Sequence, residues 1–215
     1  MGRKINPIAI RMGINKTWGS TWYVSKSKYP EVLQQDLKLR KIVTKALRDA
    51  GIDKIKIYRT IKKIDIEVYV ARPGVAIGRG GEGIDKLQKE LSRMIQQDVE
   101  VKIKEVVKAD ISARIIARNI ADGIERRVPP KLLIISSKEK AMMAGAEGIK
   151  IQVSGRINNA SQARAIKMGE GSVPAQTLRA DIDYAEETAQ TSDAGLMGVK
   201  VWVYKGDKIG VEEEE

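Results

Sequence analysis

The sequence predicts an α/β protein of two modules that ends in an acidic block. Three observations carry this reading. Apolar residues recur at helical spacing in long stretches, strand-like alternation falls between those stretches, and a proline pair breaks the pattern past the midpoint. Residues 30–50 read as the first helix, with Leu33, Leu37, Val43, Ala46, Leu47 and Ala50 spaced for it and Gly51 placed as its terminating glycine. Ile55 and Ile57, then Ile64, Ile66, Val68 and Val70, alternate with polar residues and predict two strands. A helix over residues 81–96 presents Ile84, Leu87, Leu91 and Ile95 on one face, and Val99, Val101 and Ile103 mark the next strand. The first module is therefore helix, strand, strand, glycine-rich turn, helix, strand.

The second module opens with a helix over residues 110–127. Its stripe is Ala113, Ile116, Ala117, Ile120, Ala121 and Ile124, with Arg114 and Arg118 on the other side. Val128-Pro129-Pro130 interrupts it, because proline lacks an amide donor and pushes its predecessor out of the helical region. Residues 131–144 predict another helix, although Ile134-Ile135-Ser136-Ser137 suits a strand equally well. Ile149, Ile151 and Val153 predict a strand ending at Gly155, and further strands fall near residues 177–184 and 199–204.

Composition narrows the function. With 215 residues and 42% hydrophobic content the chain can bury real cores, while Lys+Arg 39 against Asp+Glu 28 leaves a net charge of +11. It has no His and no Cys, which excludes imidazole bases, thiolate nucleophiles, disulfides and ordinary zinc sites. No apolar run approaches the roughly 20 residues that span a bilayer. The opening MGRKINPIAI has no apolar signal region, and Asn6 breaks the myristoylation pattern. A cytoplasmic protein with no catalytic residues, cofactor, metal, membrane or small-molecule substrate is expected, and its partner should be a polyanion.

The charge is uneven. Arg3, Lys4, Arg11, Lys16, Lys26 and Lys28 precede the first acid, Glu31, whereas Glu212-Glu213-Glu214-Glu215 reads as a disordered tail. A basic arm neutralises phosphates and releases their counterions, so Arg3, Lys4 and Arg11 are candidate RNA contacts.

Ile77-Gly78-Arg79-Gly80-Gly81-Glu82-Gly83 is the most pointed motif and has two readings. Gly78, Gly80 and Gly83 satisfy the dinucleotide fingerprint, with Asp98 and Glu100 near the distance of a ribose-binding acid. Against a nucleotide-dependent oxidoreductase, Ala71-Arg72-Pro73-Gly74 separates the loop from Val70, and two antiparallel-looking strands precede it. The alternative is the G-x-x-G of Gly78, Arg79, Gly80 and Gly81 between a helical turn and a long helix. Glycines let the chain approach a nucleic-acid backbone, Arg79 supplies a cation, and the helix N-terminus offers free N–H groups to phosphate. This is how a KH module clamps about four nucleotides. The absence of Phe argues against aromatic stacking platforms of the RRM or OB kind.

The chain resembles the bacterial-type small-subunit ribosomal protein three family over nearly its whole length. The resemblance rests on Gly2-Arg3-Lys4-Ile5-Asn6-Pro7, on the segment from Arg72 to Glu82, and on Glu125-Arg126-Arg127-Val128-Pro129. It continues through the blocks beginning at Gly148, Thr177 and Gly198. It implies a type II KH domain followed by a second α/β domain, with RNA contacts from Arg72, Arg126, Arg127 and Lys131. It also implies placement in the head of the small subunit against ribosomal RNA and neighbouring ribosomal proteins, beside the mRNA entry channel. The expected organisation is an arm at 1–16, a KH domain at 17–107, a C-terminal α/β domain at 108–206 and the tail at 207–215. The chain departs from the family where consecutive arginines and a lysine normally follow Val-Pro. Pro130, Lys131, Leu132, Leu133, Ile134 and Ile135 stand there, and the family's help in unwinding mRNA rests on that basic patch. A stand-alone KH-domain chaperone or regulator is the alternative function.

The remaining polar residues have paired readings. Arg156 and Arg164, flanking Asn158-Asn159, read as RNA phosphate contacts. Arg179, Asp181 and Asp183 share a strand face and read as local ion pairs rather than a metal pair. Trp18 and Trp22 suit either RNA stacking or packing.

Overall fold

The computed structural model describes residues 4–60, 63–192 and 194–208. They fall into two compact units: Trp18–Val107, and the segment up to Thr17 together with the segment from Lys108. The chain starts in the second of these with the one-turn helix α1 (Pro7–Ile10), whose cap is the Asn6 side chain accepting from the Ile8 amide at 2.9 Å.

The unit Trp18–Val107 runs β1 (Ser20–Thr21), α2 (Tyr29–Ala46), β2 (Ile52–Arg59), β3 (Lys63–Val70), α3 (Pro73–Ile77), α4 (Glu82–Ile95) and β4 (Asp98–Glu105). The sheet order is β1-β2-β3-β4, with β2 antiparallel to β3 and β4 parallel to β3. Alternation decides the faces. Ile64, Ile66, Val68 and Val70 are wholly buried and pack with Leu39, Val43, Leu87 and Leu91. Burying each such side chain stabilises the fold by about 1.5–3 kcal/mol.

The helix α2 corrects one expectation. Leu33 and Leu37 are exposed, the latter 52%, and the buried face is Asp36, Leu39 and Val43. Asp36 accepts from the Ser20 hydroxyl at 2.6 Å, and Arg40 donates to the Ile55 carbonyl at 2.9 Å, so polar clamps tie α2 to β1 and β2 and set which face of the helix turns inward. The short turn after α2 stops at Gly51, which sits at φ 73° as a terminating glycine.

The second unit continues with α5 (Ala113–Glu125), α6 (Pro130–Met143), β5 (Gly148–Gly155), β6 (Arg164–Gly171), β7 (Ala180–Thr191) and β8 (Gly195–Asp207). The strands form an antiparallel sheet in the order β6-β5-β8-β7. The α5 stripe is buried as its spacing predicts, against Ile149, Ile151, Val199 and Val201. Ser112 Oγ accepts from the Ile115 amide at 3.3 Å and Asp183 from the Ala113 amide at 3.1 Å, so two acceptors satisfy the helix start. The ambiguous segment 134–137 is helical, with Ile134 fully buried.

The arm at 1–16 needs correcting too: its described residues are part of this second unit. Arg11 is wholly buried. It donates to the carbonyls of Ala180 at 2.7 Å, Pro7 at 2.9 Å, Thr177 at 2.7 Å, Ala175 at 3.1 Å and Pro174 at 3.4 Å. Lys16 pairs with Asp181 nearby, and Asn15 donates to the Leu178 carbonyl at 3.3 Å. Carbonyls engaged by side chains leave residues 177–179 outside the ladder, so β7 starts at Ala180 and not at 177. No helix among the described residues is long and apolar enough to cross a membrane.

Candidate nucleic-acid interface

The glycine loop divides its labour among four glycines. Gly78 and Gly83 hold α3 close to α4: a Cβ on Gly83 would lie 3.0 Å from the Ile77 carbonyl oxygen, and one on Gly78 would lie 3.3 Å from the Gly83 nitrogen. Gly80 at φ 62° and Gly81 at φ 87° are left-handed, and a Cβ on either would meet nothing within 4 Å. The backbone there faces open space. The 14-residue helix α4 begins immediately afterwards, and no side chain caps its first turn. Its free amides and dipole favour an anion, while Glu82, which pairs with Lys86 at 3.2 Å, lies on the same turn. Arg72 is exposed at the start of α3, beside the exposed Val75 and Ile77. The Arg79 side chain lies outside the described part. Because residues 73–77 are helical and β2 and β3 are antiparallel, no strand leads into the loop as a dinucleotide fold requires.

In the second unit, the junction of α5 and α6 gathers several of the other candidates. Arg126 closes α5, Arg127 turns left-handed at φ 65°, and Pro129-Pro130 opens α6. A cleft of about 200 Å³ here is lined by Arg127, Arg156, Asn158, Asn159 and Ser192, among others. Both asparagines are left-handed, at φ 55° and 56°, a conformation Asn tolerates better than most residues. Arg127 donates to Ser192 Oγ at 3.3 Å and Arg156 to the Ala160 carbonyl at 2.9 Å, which orients both guanidiniums. Arg164 stands exposed at the start of β6, paired in register with Gly155. Arg126 and Lys131 are exposed, and so is the neighbouring Leu132, at 61%.

The arm contributes less than expected. Arg3 lies outside the described residues, Lys4 is exposed, and Arg11 faces inward. Five carbonyl contacts leave its guanidinium no side for a phosphate, so Arg11 is a structural residue and not an RNA contact. Burial pulls its pKa below the ordinary arginine value, with Asp181 opposing. The acids at 181 and 183 are engaged by cations: Asp181 by Lys16 and Lys208, Asp183 by Lys205 at 3.3 Å. Arg179 pairs instead with Asp207, at 2.6 Å. Trp22 packs on Tyr29 at 5.2 Å between ring centres, whereas Trp18 is 71% exposed. Sequence reasoning missed the structural part of Gly83 and the turn made by Asn158 and Asn159. Only the Asn-Asn pair, a left-handed signal, could have suggested the latter.

A helix-strand-strand-helix-helix-strand module whose last strand is parallel, with an open glycine turn between its paired helices, is a type II KH fold. Joined to the second α/β unit, it defines a class of RNA-binding ribosomal proteins. The KH domain family model matches residues 38–111, and the model of the ribosomal protein S3 C-terminal domain matches residues 120–203. The small ribosomal subunit protein uS3 of Gluconobacter oxydans is 47% identical over 207 residues, covering 96% of this chain and 91% of the relative. Those of Desulfatibacillum aliphaticivorans and Crocosphaera subtropica are 44% and 46% identical and cover the whole chain, with 97% and 90% of the relatives covered. The chain belongs to the bacterial-type uS3 family. It is a structural, RNA-binding component of the ribosome and not an enzyme.

Proposed function

We propose that the protein sits in the head of the small ribosomal subunit, binds ribosomal RNA and neighbouring proteins there, and flanks the mRNA entry channel in the cytoplasm. In this reading Gly78, Arg79, Gly80 and Gly81, with Arg72 beside them, hold a sugar–phosphate backbone. Arg126, Arg127, Lys131, Arg156 and Arg164 hold another at the α5–α6 junction, and Arg3 and Lys4 add charge. The observation that carries the reading is the pair Gly80-Gly81, left-handed and open to solvent ahead of an uncapped helix. A cation-poor start of α6, with Leu132 exposed where the family carries arginine and lysine, goes with weak unwinding of structured mRNA.

Crosslinking within assembled particles tests the placement: peptides around Gly80 and around Arg127 should crosslink to RNA. The loop is tested separately in the free protein. Gly80→Asn keeps the left-handed turn and should bind single-stranded RNA nearly as the native chain does, whereas Gly80→Asp should bind it on the order of tenfold more weakly. Equal binding by both variants would reduce the loop to a turn.

A further inference from the structure

The two sheets treat their helix-free faces differently. On β3 and β4 that face is internally neutral. Lys63 pairs with Glu100 and Asp65, Lys104 pairs with Glu67 at 3.0 Å, and Lys56 and Lys104 lie over the Tyr69 ring. Nothing there asks for an external charge.

The other sheet has one corner that is not balanced. Alternation buries Ile149, Ile151, Val201 and Val203, so Lys150 on β5 and Trp202 on β8 share the opposite face and are register partners. Lys167 on β6 stands opposite Gln152, one pleat along the same face. The Lys150 ammonium lies 5.9 Å above the Trp202 ring, which is itself set against Tyr184 at 5.2 Å. Lys150, Lys167 and Gly169 line a shallow cleft of about 310 Å³. Lys4 arrives from the N-terminal segment. Contact with Lys4, then burial, then the charges of Lys4 and Lys167 hold Lys150 below the ordinary lysine pKa. Among the described residues none of the three ammoniums meets a carboxylate. Glu186, on the same face of β7, is engaged by Lys200 at 3.3 Å, and Glu170, on the opposite face of β6, by Lys138 at 2.9 Å.

We propose that Lys4, Lys150 and Lys167 form a further RNA-phosphate site, with Trp202 positioning the Lys150 ammonium. It is separate from the glycine loop and the α5–α6 cleft, and it rests on the RNA-binding reading of the chain. Clustered like charges repel, and an arriving polyanion relieves that repulsion. Ammoniums are point charges on flexible stems, and the cleft is shallow and open, so it selects charge density rather than shape. A phosphodiester backbone supplies that density at every residue. No arginine fork stands among the three for bidentate grip on a carboxylate.

The test uses the full chain and fluorescein-labelled oligouridine. Lysines are acetylated with and without the oligonucleotide and read by mass spectrometry. The dependence of affinity on potassium chloride is then measured for the native chain and for the double variant Lys150→Gln, Lys167→Gln. Protection of Lys4, Lys150 and Lys167, together with a salt slope lower by roughly 1.4 in the variant, is expected for two lost single-strand contacts. Oligouridine binding with an unchanged slope and unprotected lysines overturns this site and leaves the RNA reading standing. No oligouridine binding in dilute salt overturns both. Polyglutamate protecting the three lysines as well as oligouridine does assigns the corner to an acidic protein and overturns the proposal. If the double variant loses its fold by circular dichroism, the acetylation pattern of the native chain decides alone.

Discussion

Replacing Arg11 is the sharpest check on how the N-terminal segment is held. Three of its bonds are 2.9 Å or shorter, to Ala180, Pro7 and Thr177. A net hydrogen bond from a charged donor is worth about 1.5–3 kcal/mol, and an orphaned buried carbonyl adds its own desolvation cost. Such bonds are not additive, and some of these carbonyls become hydrated in the variant. The working figure for Arg11→Met is therefore about 4 kcal/mol, or a fall in Tm on the order of 10 °C. Arg11→Lys keeps the charge but not the planar fork, so about half that loss is expected. Urea unfolding of the full chain, followed by circular dichroism, reads both. Because the cation faces inward, the salt slope of RNA binding should be unchanged in Arg11→Lys, and a lysine-for-arginine swap at a phosphate contact would also keep it. The discriminating variant on that side is Arg11→Met, measured where it remains folded: a phosphate contact would lower its slope by roughly 0.7–0.9. A stability loss for Arg11→Met below about 1 kcal/mol, or such a drop in slope, refutes the reasoning.

Three further outcomes are expected. Gly148→Ala drives a methyl into the Ser172 carbonyl across the β5–β6 pairing, and should cost about 1–3 kcal/mol or more by chemical denaturation; near-native stability would contradict the packing. Burial and Glu186 push Tyr184 up to about 12, and the bond to Asp207 pushes Tyr204 up to about 12. The folded state then holds protons that the unfolded chain releases near pH 10, so this stability is complete below about pH 10 and is lost as pH rises toward 12. Ultraviolet titration should show two tyrosines ionising toward pH 12, above the ordinary phenol range, and Tyr184→Phe should flatten the alkaline loss of stability. Leu132→Arg, at an exposed position beside Lys131, should change stability by no more than about 0.5 kcal/mol. It should also raise the RNA salt slope by roughly 0.7–0.9, and an unchanged slope would remove the start of α6 from the RNA surface.

The parts of this molecule that repeat a local rule were readable from its residues. The α5 stripe and the alternation of β3 each bury one face completely, so periodicity alone identifies them. The glycine loop was legible because left-handed backbone leaves a compositional mark. Edge strand β6 was not: only Ile166 and Met168 turn toward the core, both partly buried, and glycines at 169 and 171 dilute the alternation. On α2 the spacing permitted two faces, and the choice lies with Asp36, whose partners Ser20 and Arg59 come from other elements. Arg11 escaped for the same kind of reason. Nothing near it in sequence marks a cation for burial, since its carbonyl partner at Ala180 is 169 residues away. Its neighbours on the basic arm made the solvent-facing reading the natural one.

That separation has a consequence for synthesis. The strand that receives the opening segment leaves the ribosome 169 residues later, a wait on the order of 10–30 s at bacterial elongation rates. In the later part of that interval Trp18–Val107 is already complete in the nascent polypeptide, while the stretch ahead of it has nowhere to dock. Newly made copies therefore pass through a stage with one finished lobe and a cationic leader still unclasped, within reach of any RNA nearby.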